Sequence, residues 1–379
     1  MRVVLRLDSL DHPRTGIGYY TEHLCRELGR LPGVDVKGVL RGQLIEGGAL
    51  EQLLDEEGGQ AGGSGSASGL LNRWKPFLRS VPGAYPLRQW VRDQRASRAV
   101  SGLGECLYHE PNFVPFRFSG PLIVTVHDLS HLRYPEYHPA GRVRFLNKQL
   151  PGALDRADLV ITDSEFIQSE ICSFFPDVAR KVVPVHLGVE EDLRQLEASE
   201  AQQVLSRFGL DYKGYILSVA TLEPRKNLVG LVEAYDRLPE RFKNDYPLVL
   251  VGGSGWDSDR LYRIVESVGQ RGGKVILAGR VPRADLAGLI SGARLFAYPS
   301  FYEGFGLPIA EARACGTPVL TSDFGAMAEV AGKQAFLADL GNLSGSLEEA
   351  LATMPDRLPP YRFSWKTTAE KTLSAYQSV

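Results

Sequence analysis

Short apolar runs rich in β-branched residues alternate with helix-like segments along most of the chain. The runs have the length of buried strands, and the segments between them, such as 227–238 and 308–314, have helical periodicity. Strands that alternate with helices form parallel sheets covered on both faces, so the pattern predicts an α/β fold. The predicted strands are 3–7, 122–126, 159–162, 182–185, 215–219, 248–251, 275–278, 295–298 and 319–321.

The alternation pauses once, and this pause predicts a division into two domains. Residues 190–208 form a charged, helix-like segment, and the strand pattern restarts at Tyr215. At about 100–200 residues per domain, a chain of 379 residues suits two doubly wound domains. We therefore expect an N-terminal domain over residues 1–195 and a C-terminal domain over residues 196–360.

The charge balance and the cysteines exclude several classes of protein. Lys and Arg number 43 against 45 Asp and Glu, and a net charge of −2 gives no global attraction to nucleic acid. The four cysteines stand apart without metal-ligand spacing, as in a protein of the reducing cytoplasm. The sequence shows no secretory apolar region, and no apolar run reaches the ~18–20 residues of a membrane span. We expect a cytoplasmic protein that does not bind nucleic acid.

Two neighbouring segments break the pattern. Residues 56–69 consist of Gly, Ser, Ala, Gln and Glu, a composition that predicts a mobile loop. Residues 70–98 mix basic and aromatic side chains, which suits either peripheral contact with an anionic membrane or a solvated helix pair with its rings in the core. Three prolines argue against one long helix there. The residues concerned are Arg73, Trp74, Lys75, Pro76, Phe77, Arg79, Pro82, Tyr85, Pro86, Arg88, Trp90, Arg92, Arg95 and Arg98.

Candidate chemistry concentrates after the predicted strand 295–298. A Gly-containing loop follows this strand, and Leu307-Pro308 opens a helix whose first turn tolerates Pro. This geometry directs free backbone N–H groups and the positive end of the helix dipole at the loop, which favours a phosphate. Glu303 in the loop and Glu311 in the helix would lie up to ~12 Å apart along the axis, a spacing that suits the two ends of a nucleotide-sugar.

These residues resemble the retaining glycosyltransferases of family 4, which have two facing Rossmann-like domains in the GT-B architecture. The family signature of two glutamates separated by seven residues reads here Glu303-Gly-Phe-Gly-Leu-Pro-Ile-Ala-Glu311. The resemblance implies that Glu303 contacts hydroxyls of the donor sugar and that Glu311 binds the ribose. It also implies that the loop amides hold the sugar and the phosphate at Phe305, Gly306 and Leu307.

Further loops of the second domain fit the same resemblance. Arg225 and Lys226 stand at a predicted helix start, where an Arg fork and a Lys point charge suit a diphosphate. The resemblance implies that both cations stabilise the leaving nucleoside diphosphate, although many members have Gly-Arg where this chain has Ala220-Thr221. The turns after the next two strands add three donor-binding candidates: Gly253, Arg280 and Val281.

The first domain supplies three motifs. His127, with Asp128, ends the predicted strand 122–126, and the resemblance implies that this His approaches the donor sugar. Gly16 and Gly18 follow the first strand and allow the backbone to approach a phosphate or a sugar. Residues 162–165 are expected to cap the following helix. The tail 361–379 resembles the last helix of the family, which returns to pack on the first domain.

The resemblance implies transfer of a hexosyl group from a nucleotide diphosphate sugar to a hydroxyl, with retained anomeric configuration. Similarity of residues 125–135 and 222–227 to bacterial mannosyl- and D-rhamnosyltransferases favours a GDP-sugar donor. It also favours a glycan or lipid-linked acceptor of polysaccharide or O-antigen assembly at the cytoplasmic membrane face. A UDP-sugar donor is the alternative, and so are a nucleotide-sugar epimerase of the same fold and a non-catalytic nucleotide-sugar-binding protein.

One motif suggests a metal. Asp257-Ser-Asp259 spells the Asp-x-Asp of metal-dependent transferases of a different fold, but it falls in a predicted exposed loop. A Mg²⁺ site there would need diphosphate oxygens close by. We take the match as coincidence and expect no metal and no other cofactor. The acceptor-binding residues carry no motif that identifies them.

Overall fold

The computed structural model describes residues 1–10, 16–55, 84–255 and 258–379, with the backbone alone for residues 84–90. The described strands form two sheets, one between Arg2 and Pro184 and the other between Ile216 and Ala338. The predicted division at residues 195 and 196 falls between them. The predicted loop 56–69 and most of the basic segment lie outside the described residues.

The described part of the first domain contains a seven-stranded sheet. Its strands are β1 (Arg2–Arg6), β2 (Asp35–Leu40), β3 (Gln43–Ile45), β4 (Leu107–Glu110), β5 (Leu122–Val126), β6 (Leu159–Thr162) and β7 (Val182–Pro184). They lie in the order β3-β2-β1-β4-β5-β6-β7, parallel except for β3, which runs antiparallel to β2 at the edge. Val3 and Leu5 belong to one buried cluster and Val4 to another, so the sheet is covered on both faces.

Helices follow most of these strands. They are α1 (Gly16–Arg30), α2 (Gly48–Asp55), α3 (Ala84–Ser101), α4 (Ser130–Arg133), α5 (Ala140–Arg156) and α6 (Glu165–Phe174). Ser164 caps α6 as predicted, because its side chain accepts a hydrogen bond from the backbone N–H of Ile167. Pro86 lies within the first turn of α3, where a missing N–H costs nothing, so it does not interrupt that helix.

The described part of the second domain contains a six-stranded parallel sheet. Its strands are β8 (Ile216–Val219), β9 (Leu248–Val251), β10 (Val275–Gly279), β11 (Leu295–Tyr298), β12 (Val319–Ser322) and β13 (Phe336–Ala338). The order is β10-β9-β8-β11-β12-β13, so the direction of winding reverses between β8 and β11. The helices are α7 (Ala198–Phe208), α8 (Leu228–Asp236), α9 (Glu240–Asp245), α10 (Asp259–Gln270), α11 (Arg283–Gly292), α12 (Leu307–Ala314), α13 (Gly325–Ala331), α14 (Leu343–Thr353) and α15 (Trp365–Tyr376).

All the predicted strands are present, each to within a residue, but β2, β3, β4 and β13 were not predicted. β3 and β13 are three residues long, and β2 is largely exposed or half-buried, so none of them reads as an apolar run. β4 ends in His109 and Glu110, which are buried because other side chains bond them.

The expectation of a helix-like segment over residues 190–208 is wrong for its first part. The helix begins only at Ala198, where Glu197 and Glu200 form a capping box. Before it, the side chain of Glu190 is bonded to residues of both domains instead of lying on a helix surface.

The last helix, α15, returns to the first domain, as the resemblance implies. The hydroxyl of Tyr376 lies 2.5 Å from Nδ1 of His109, and the ring of Trp365 stacks on His23 of α1 with centroids 4.8 Å apart. Trp365 and Leu5 also belong to one buried cluster that continues into the second domain. The two domains therefore share a continuous core on this side of the molecule.

Substitution of Gly188 tests directly whether α15 packs back on the first domain. A Cβ at this position would lie 2.3 Å from the backbone nitrogen of Trp365 and 2.6 Å from its Cα. We expect Gly188→Ala to destabilise the fold by about 1–3 kcal/mol, because backbone atoms must move to admit the methyl group. The measurement is the urea midpoint of unfolding.

The matched control is Gly269→Ala in α10, where an added Cβ would have no neighbour within 4 Å among the described residues. This substitution should leave the midpoint unchanged or raise it, because Ala favours a helix by about 0.5–1 kcal/mol over Gly. A Gly188→Ala midpoint equal to that of wild type would contradict the tight approach of α15.

Candidate active site

The candidate site lies at the carboxyl edge of the second sheet, at its topological switch point. The chain leaves β8 toward a 3-10 turn at Pro224–Lys226, and it leaves β11 toward the loop that contains Glu303. β8 and β11 are neighbours in the sheet, and the chain winds away from them in opposite directions. Open parallel sheets bind ligands at this position, outside the carboxyl ends of the strands.

A buried cluster of charges occupies this switch point. Oε1 of Glu303 lies 2.6 Å from Nζ of Lys226, and Oε2 lies 2.9 Å from Nη1 of Arg225. The hydroxyl of Tyr298 donates to Oε1 of Glu303 at 3.0 Å, and Arg225 also bonds Glu223 at 3.0 Å. We call these five residues the charge cluster. The structure thus brings together the three catalytic candidates of the second domain.

The charges hold one another in the ionised state. Burial opposes ionisation of Glu303, but Arg225 and Lys226 outweigh it and lower the pKa of the carboxyl. Burial and the nearby Arg225 lower the pKa of Lys226, against the opposing effect of Glu303. Burial works against the charge of Arg225 too, yet the surrounding carboxylates raise its pKa. Two cations at a helix start would oppose the dipole, and here carboxylates of the protein compensate them.

The loop between β11 and α12 approaches the first domain closely. A Cβ on Gly304 would lie 1.8 Å from the carbonyl oxygen of His127, so only Gly fits there. Gly306 precedes α12 with φ +94°, and Leu307 begins the helix. The side chain of Phe305 is buried against Phe363, with centroids 5.4 Å apart. Any contact of Phe305, Gly306 and Leu307 with a ligand must therefore come chiefly from the backbone, as predicted for a helix N-terminus.

Glu311 lies further along α12, buried and bonded to Arg283. Nη2 of Arg283 lies 3.2 Å from Oε1 of Glu311. Burial raises the pKa of the Glu311 carboxyl, and Arg283 works in the opposite direction. This carboxylate therefore depends on one cation, whereas Glu303 has two.

A cleft of about 440 Å³ opens at the ends of β9 and β10, and it is also lined by Leu222, the residue before Glu223 of the charge cluster. Gly253 and Arg280 line it, together with Ser254 and Tyr262. A Cβ on Gly253 would lie 2.3 Å from Nε of Arg280, so the Gly leaves room for this Arg side chain. Val281 packs on the core of the second domain instead. The volume falls within the range of about 300–1,000 Å³ typical of small-molecule sites.

His127 is held by two acceptors of the first domain. Nδ1 lies 2.8 Å from Oδ2 of Asp163, and Nε2 lies 2.7 Å from the carbonyl oxygen of Pro111. Burial disfavours a charged ring, but Asp163 outweighs it and raises the pKa of His127. Both nitrogens face acceptors, so the protonated ring donates to each of them, and its bond to Asp163 ties the end of β5 to the end of β6. A contact between His127 and a donor sugar stays a prediction, and the carbonyl side of this residue faces Gly304.

Gly16 and Gly18 lie in the first turn of α1, which begins at Gly16. An added Cβ on Gly16 would meet no atom of the described residues within 4 Å. Residues 11–15, which complete this loop, lie outside the described residues. The predicted ligand contact of the two glycines remains a prediction.

Sequence reasoning missed four residues of this region: Asp163, Glu223, Tyr298 and Arg283. Asp163 and Tyr298 stand at the ends of predicted strands, and the carboxyl ends of parallel strands meet at one edge, so this signal was present in the sequence. Arg283 begins a helix far from both signature glutamates, and only the fold brings it to Glu311.

Within the described ranges, no group of three His, Cys, Asp or Glu side chains could hold a metal ion. Asp257 lies outside those ranges, so the Asp-x-Asp motif is not described.

No helix among the described residues is long and apolar enough to cross a membrane. In α3, Arg92, Arg95 and Arg98 are exposed at a spacing of three residues, on one side of the helix.

Known proteins resemble this chain, one of them over its whole length. Residues 207–356 match the family described as glycosyl transferases group 1. O-antigen chain mannosyltransferase B of Escherichia coli is 34% identical, with 100% of both chains covered. Serotype-specific mannosyltransferase WbdA of Escherichia coli is 28% identical over 67% of this chain and 33% of its own length.

Solved structures resemble the fold. Sucrose-phosphate synthase of Thermosynechococcus elongatus covers 100% of this chain and 98% of its own, with a TM-score of 0.69 at 18% identity. HepE of Anabaena, solved in complex with UDP and glucose, covers 100% of both chains, with a TM-score of 0.66 at 18% identity. The architecture is the predicted GT-B fold of two facing Rossmann-like domains. With the full-length relative at 34% identity, these findings show that the chain is a glycosyltransferase and belongs to the glycosyltransferase group 1 family.

Proposed function

We propose that this glycosyltransferase moves a mannosyl group from GDP-mannose to a hydroxyl of a glycan or lipid-linked acceptor in O-antigen assembly, with retained anomeric configuration. The full-length relative from Escherichia coli, which carries the name of an O-antigen chain mannosyltransferase, supports the sugar and the acceptor class. D-Rhamnose is the alternative hexose, and a UDP-sugar is the alternative donor. The reaction is proposed to need no metal.

The observation that carries the proposal is the pairing of Arg225 and Lys226 with Glu303 at the switch point. A departing nucleoside diphosphate gains negative charge in the transition state. Fixed cations near it therefore stabilise the transition state more than the bound donor. A guanidinium can bridge two phosphate oxygens, and an ammonium supplies a point charge.

Donor binding exchanges one anion for another. In the described structure, the Glu303 carboxylate bonds both cations, and Glu223 supplies the second negative charge that balances them. When a diphosphate takes its place beside them, Glu303 can turn to the hydroxyls of the sugar, and Tyr298 remains within reach as a hydrogen-bond donor. In this exchange the diphosphate pairs with both cations and the sugar hydroxyls donate to Glu303, so no buried charge is left without a partner, which would be costly.

The bonding of the carboxylates supports retention by reaction on one face. Glu223 is bonded to Arg225, Asp163 is bonded to His127, and Glu303 is proposed to accept hydrogen bonds from the sugar hydroxyls, so none of the three is placed as a nucleophile toward the anomeric carbon. The bond from the anomeric carbon to the phosphate oxygen breaks, and its electron pair leaves with the diphosphate. The acceptor oxygen then bonds to the same face, and its proton goes to the leaving phosphate. Domain closure would exclude water from this step.

Peripheral contact with an anionic membrane through residues 70–98 forms part of the proposal. The exposed side of α3, with Arg92, Arg95 and Arg98, supports it, since each cation near such a surface contributes on the order of 1 kcal/mol. This contact would bring the enzyme to a lipid-linked acceptor at the cytoplasmic face.

The donor is tested by nucleotide binding and transfer. We expect GDP at a hundredfold excess over its Kd to stabilise the protein by ~2.7 kcal/mol, and UDP at the same concentration to have a much smaller effect. We expect the enzyme to transfer mannose from GDP-α-mannose without added metal and in the presence of EDTA. The mannosyl product should be α-linked.

Stronger stabilisation by UDP would contradict the GDP donor. A β-linked product would contradict retention, and activity that EDTA abolishes and Mn²⁺ restores would contradict the metal-free mechanism. Release of free sugar and GDP without an acceptor, as the dominant reaction, would favour the epimerase alternative.

Lys226 offers a test of the charge cluster. We expect Lys226→Ala to lower kcat by about 10²–10³-fold, the usual loss when one donor to the transition-state charge is removed. Because the pKa of Lys226 is lowered, its cation disappears as pH rises through that pKa, so kcat/KM should fall on the alkaline side. Lys226→Arg should move this fall to higher pH.

Lys274→Ala, which removes an exposed Lys of the same domain, is the matched control and should leave kcat and the pH profile unchanged. If Lys226→Ala retained wild-type kcat while the control behaved as expected, the assignment of Lys226 would be wrong.

A further inference from the structure

Arg283 connects the second signature glutamate to the first domain. Its Nη2 bonds Oε1 of Glu311 at 3.2 Å, and its Nε bonds Oε2 of Glu190. The other oxygen of Glu190, Oε1, lies 3.0 Å from Nε2 of His23 in α1. The guanidinium also lies 4.8 Å from the ring centroid of Tyr19, in the first turn of α1. Arg283 therefore touches the nucleotide side of the second domain and the glycine-rich start of the first.

We propose that Arg283 is a positioning residue for the donor nucleotide: it fixes the carboxylate of Glu311 and makes nucleotide affinity depend on α1 through Glu190 and His23. The inference rests on the proposed function, because that function includes the contact of Glu311 with the ribose. It adds a residue outside the Glu303–Glu311 signature, and it adds a link from nucleotide binding to the first domain.

The geometry of Glu311 leaves room for a ligand. Arg283 bonds Oε1, and Oε2 has no hydrogen-bond partner in the part of the chain that the structure describes. One oxygen is therefore anchored, and the other can accept a hydrogen bond from a ribose hydroxyl. An anchored carboxylate loses less side-chain entropy on binding than a freely rotating one.

On the side away from Glu311, Arg283 is connected to α1 through Glu190 and His23. Glu190 uses one oxygen for each domain, Oε2 for Arg283 and Oε1 for His23. His23 in turn stacks on Trp365, with centroids 4.8 Å apart and an angle of 12° between the rings. A change at His23 would therefore reach Glu311 through the His23–Glu190 hydrogen bond and the two ion pairs of Arg283, without any contact between His23 and the nucleotide.

The charges around Glu311 predict how nucleotide affinity depends on pH. The groups that face this carboxyl are Arg283 from α11 and two acids from the segment between the domains, Glu190 and Asp192. Burial raises the pKa of Glu311, and Arg283 is the cation that opposes the rise. Without this cation, Glu311 would take up its proton at higher pH. If ionised Glu311 binds the ribose, the loss of affinity on the acid side would then begin at higher pH.

Calorimetric titration with GDP between pH 5 and 8 tests the proposal. We expect Arg283→Gln to raise the Kd for GDP about tenfold, as for the loss of a charged hydrogen bond, and to move the acid-side loss of affinity to higher pH. Arg283→Lys should restore the wild-type pH profile, because it keeps the cation. The control is Arg241→Gln, which breaks an exposed Arg–Glu pair of the same domain and should change neither quantity.

A double-mutant cycle tests the link to the first domain. His23→Phe keeps a ring on Trp365 but removes the bond to Glu190, and we expect it to raise the Kd for GDP about twofold to threefold. In the double variant with Arg283→Gln, His23→Phe should add nothing, because the chain of contacts is already broken. Circular dichroism and urea midpoints check that all the variants are folded.

The outcomes separate this inference from the proposed function. If Glu311→Gln weakens GDP binding but Arg283→Gln changes neither Kd nor pH profile, the role of Arg283 is overturned and the donor proposal stands. Independent, multiplicative effects of the two substitutions would overturn the link to α1. Failure of the wild-type protein to bind GDP would overturn the proposed donor itself, and this inference with it.

Discussion

Burial of opposite charges beside one another is the constraint on which the site depends. Glu303, Arg225 and Lys226 lie where two neighbouring strands end, and none of them could remain charged there alone. The cations lower the pKa of the carboxyl, and the carboxylates raise the pKa of Arg225. The sheet supplies the geometry, since β8 and β11 are adjacent and the winding reverses between them. Together with Glu223, which is bonded to Arg225, the charges of this buried cluster balance, and in the proposed function a diphosphate replaces Glu303 beside the two cations.

The first domain closes this cluster from the other side. Gly304 lies against the carbonyl of His127, and Oγ of Ser164 donates to the carbonyl oxygen of Gly304 at 2.7 Å. His127 is itself fixed by Asp163. The loop that carries Glu303 is therefore shaped by both domains, as Glu311 is through Arg283 and Glu190. The residues that are proposed to bind the donor therefore also hold the two domains together, so the proposed function implies that donor binding depends on the relative position of the domains.

The sequence predicted the parts of this arrangement that are local, and it missed those that depend on tertiary contacts. Buried parallel strands read as apolar runs, and the glutamate signature with its Gly and Pro residues marked the loop and α12. Short or half-exposed strands such as β2 gave no such pattern. Asp163 was assigned only to a helix cap, although its place at the end of a predicted strand puts it at the same sheet edge as His127. Arg283 carries no such signal, because its partners are distant in sequence, at positions 190 and 311.

A crystal structure with a non-transferable GDP-mannose analogue tests the exchange of anions at the charge cluster most directly. The account predicts diphosphate oxygens within hydrogen-bond distance of Arg225 and Lys226. It also predicts that Glu303 has left Lys226 and accepts hydrogen bonds from hydroxyls of the sugar. A bound analogue whose diphosphate lies away from both cations, with the bond between Lys226 and Glu303 intact, would contradict it.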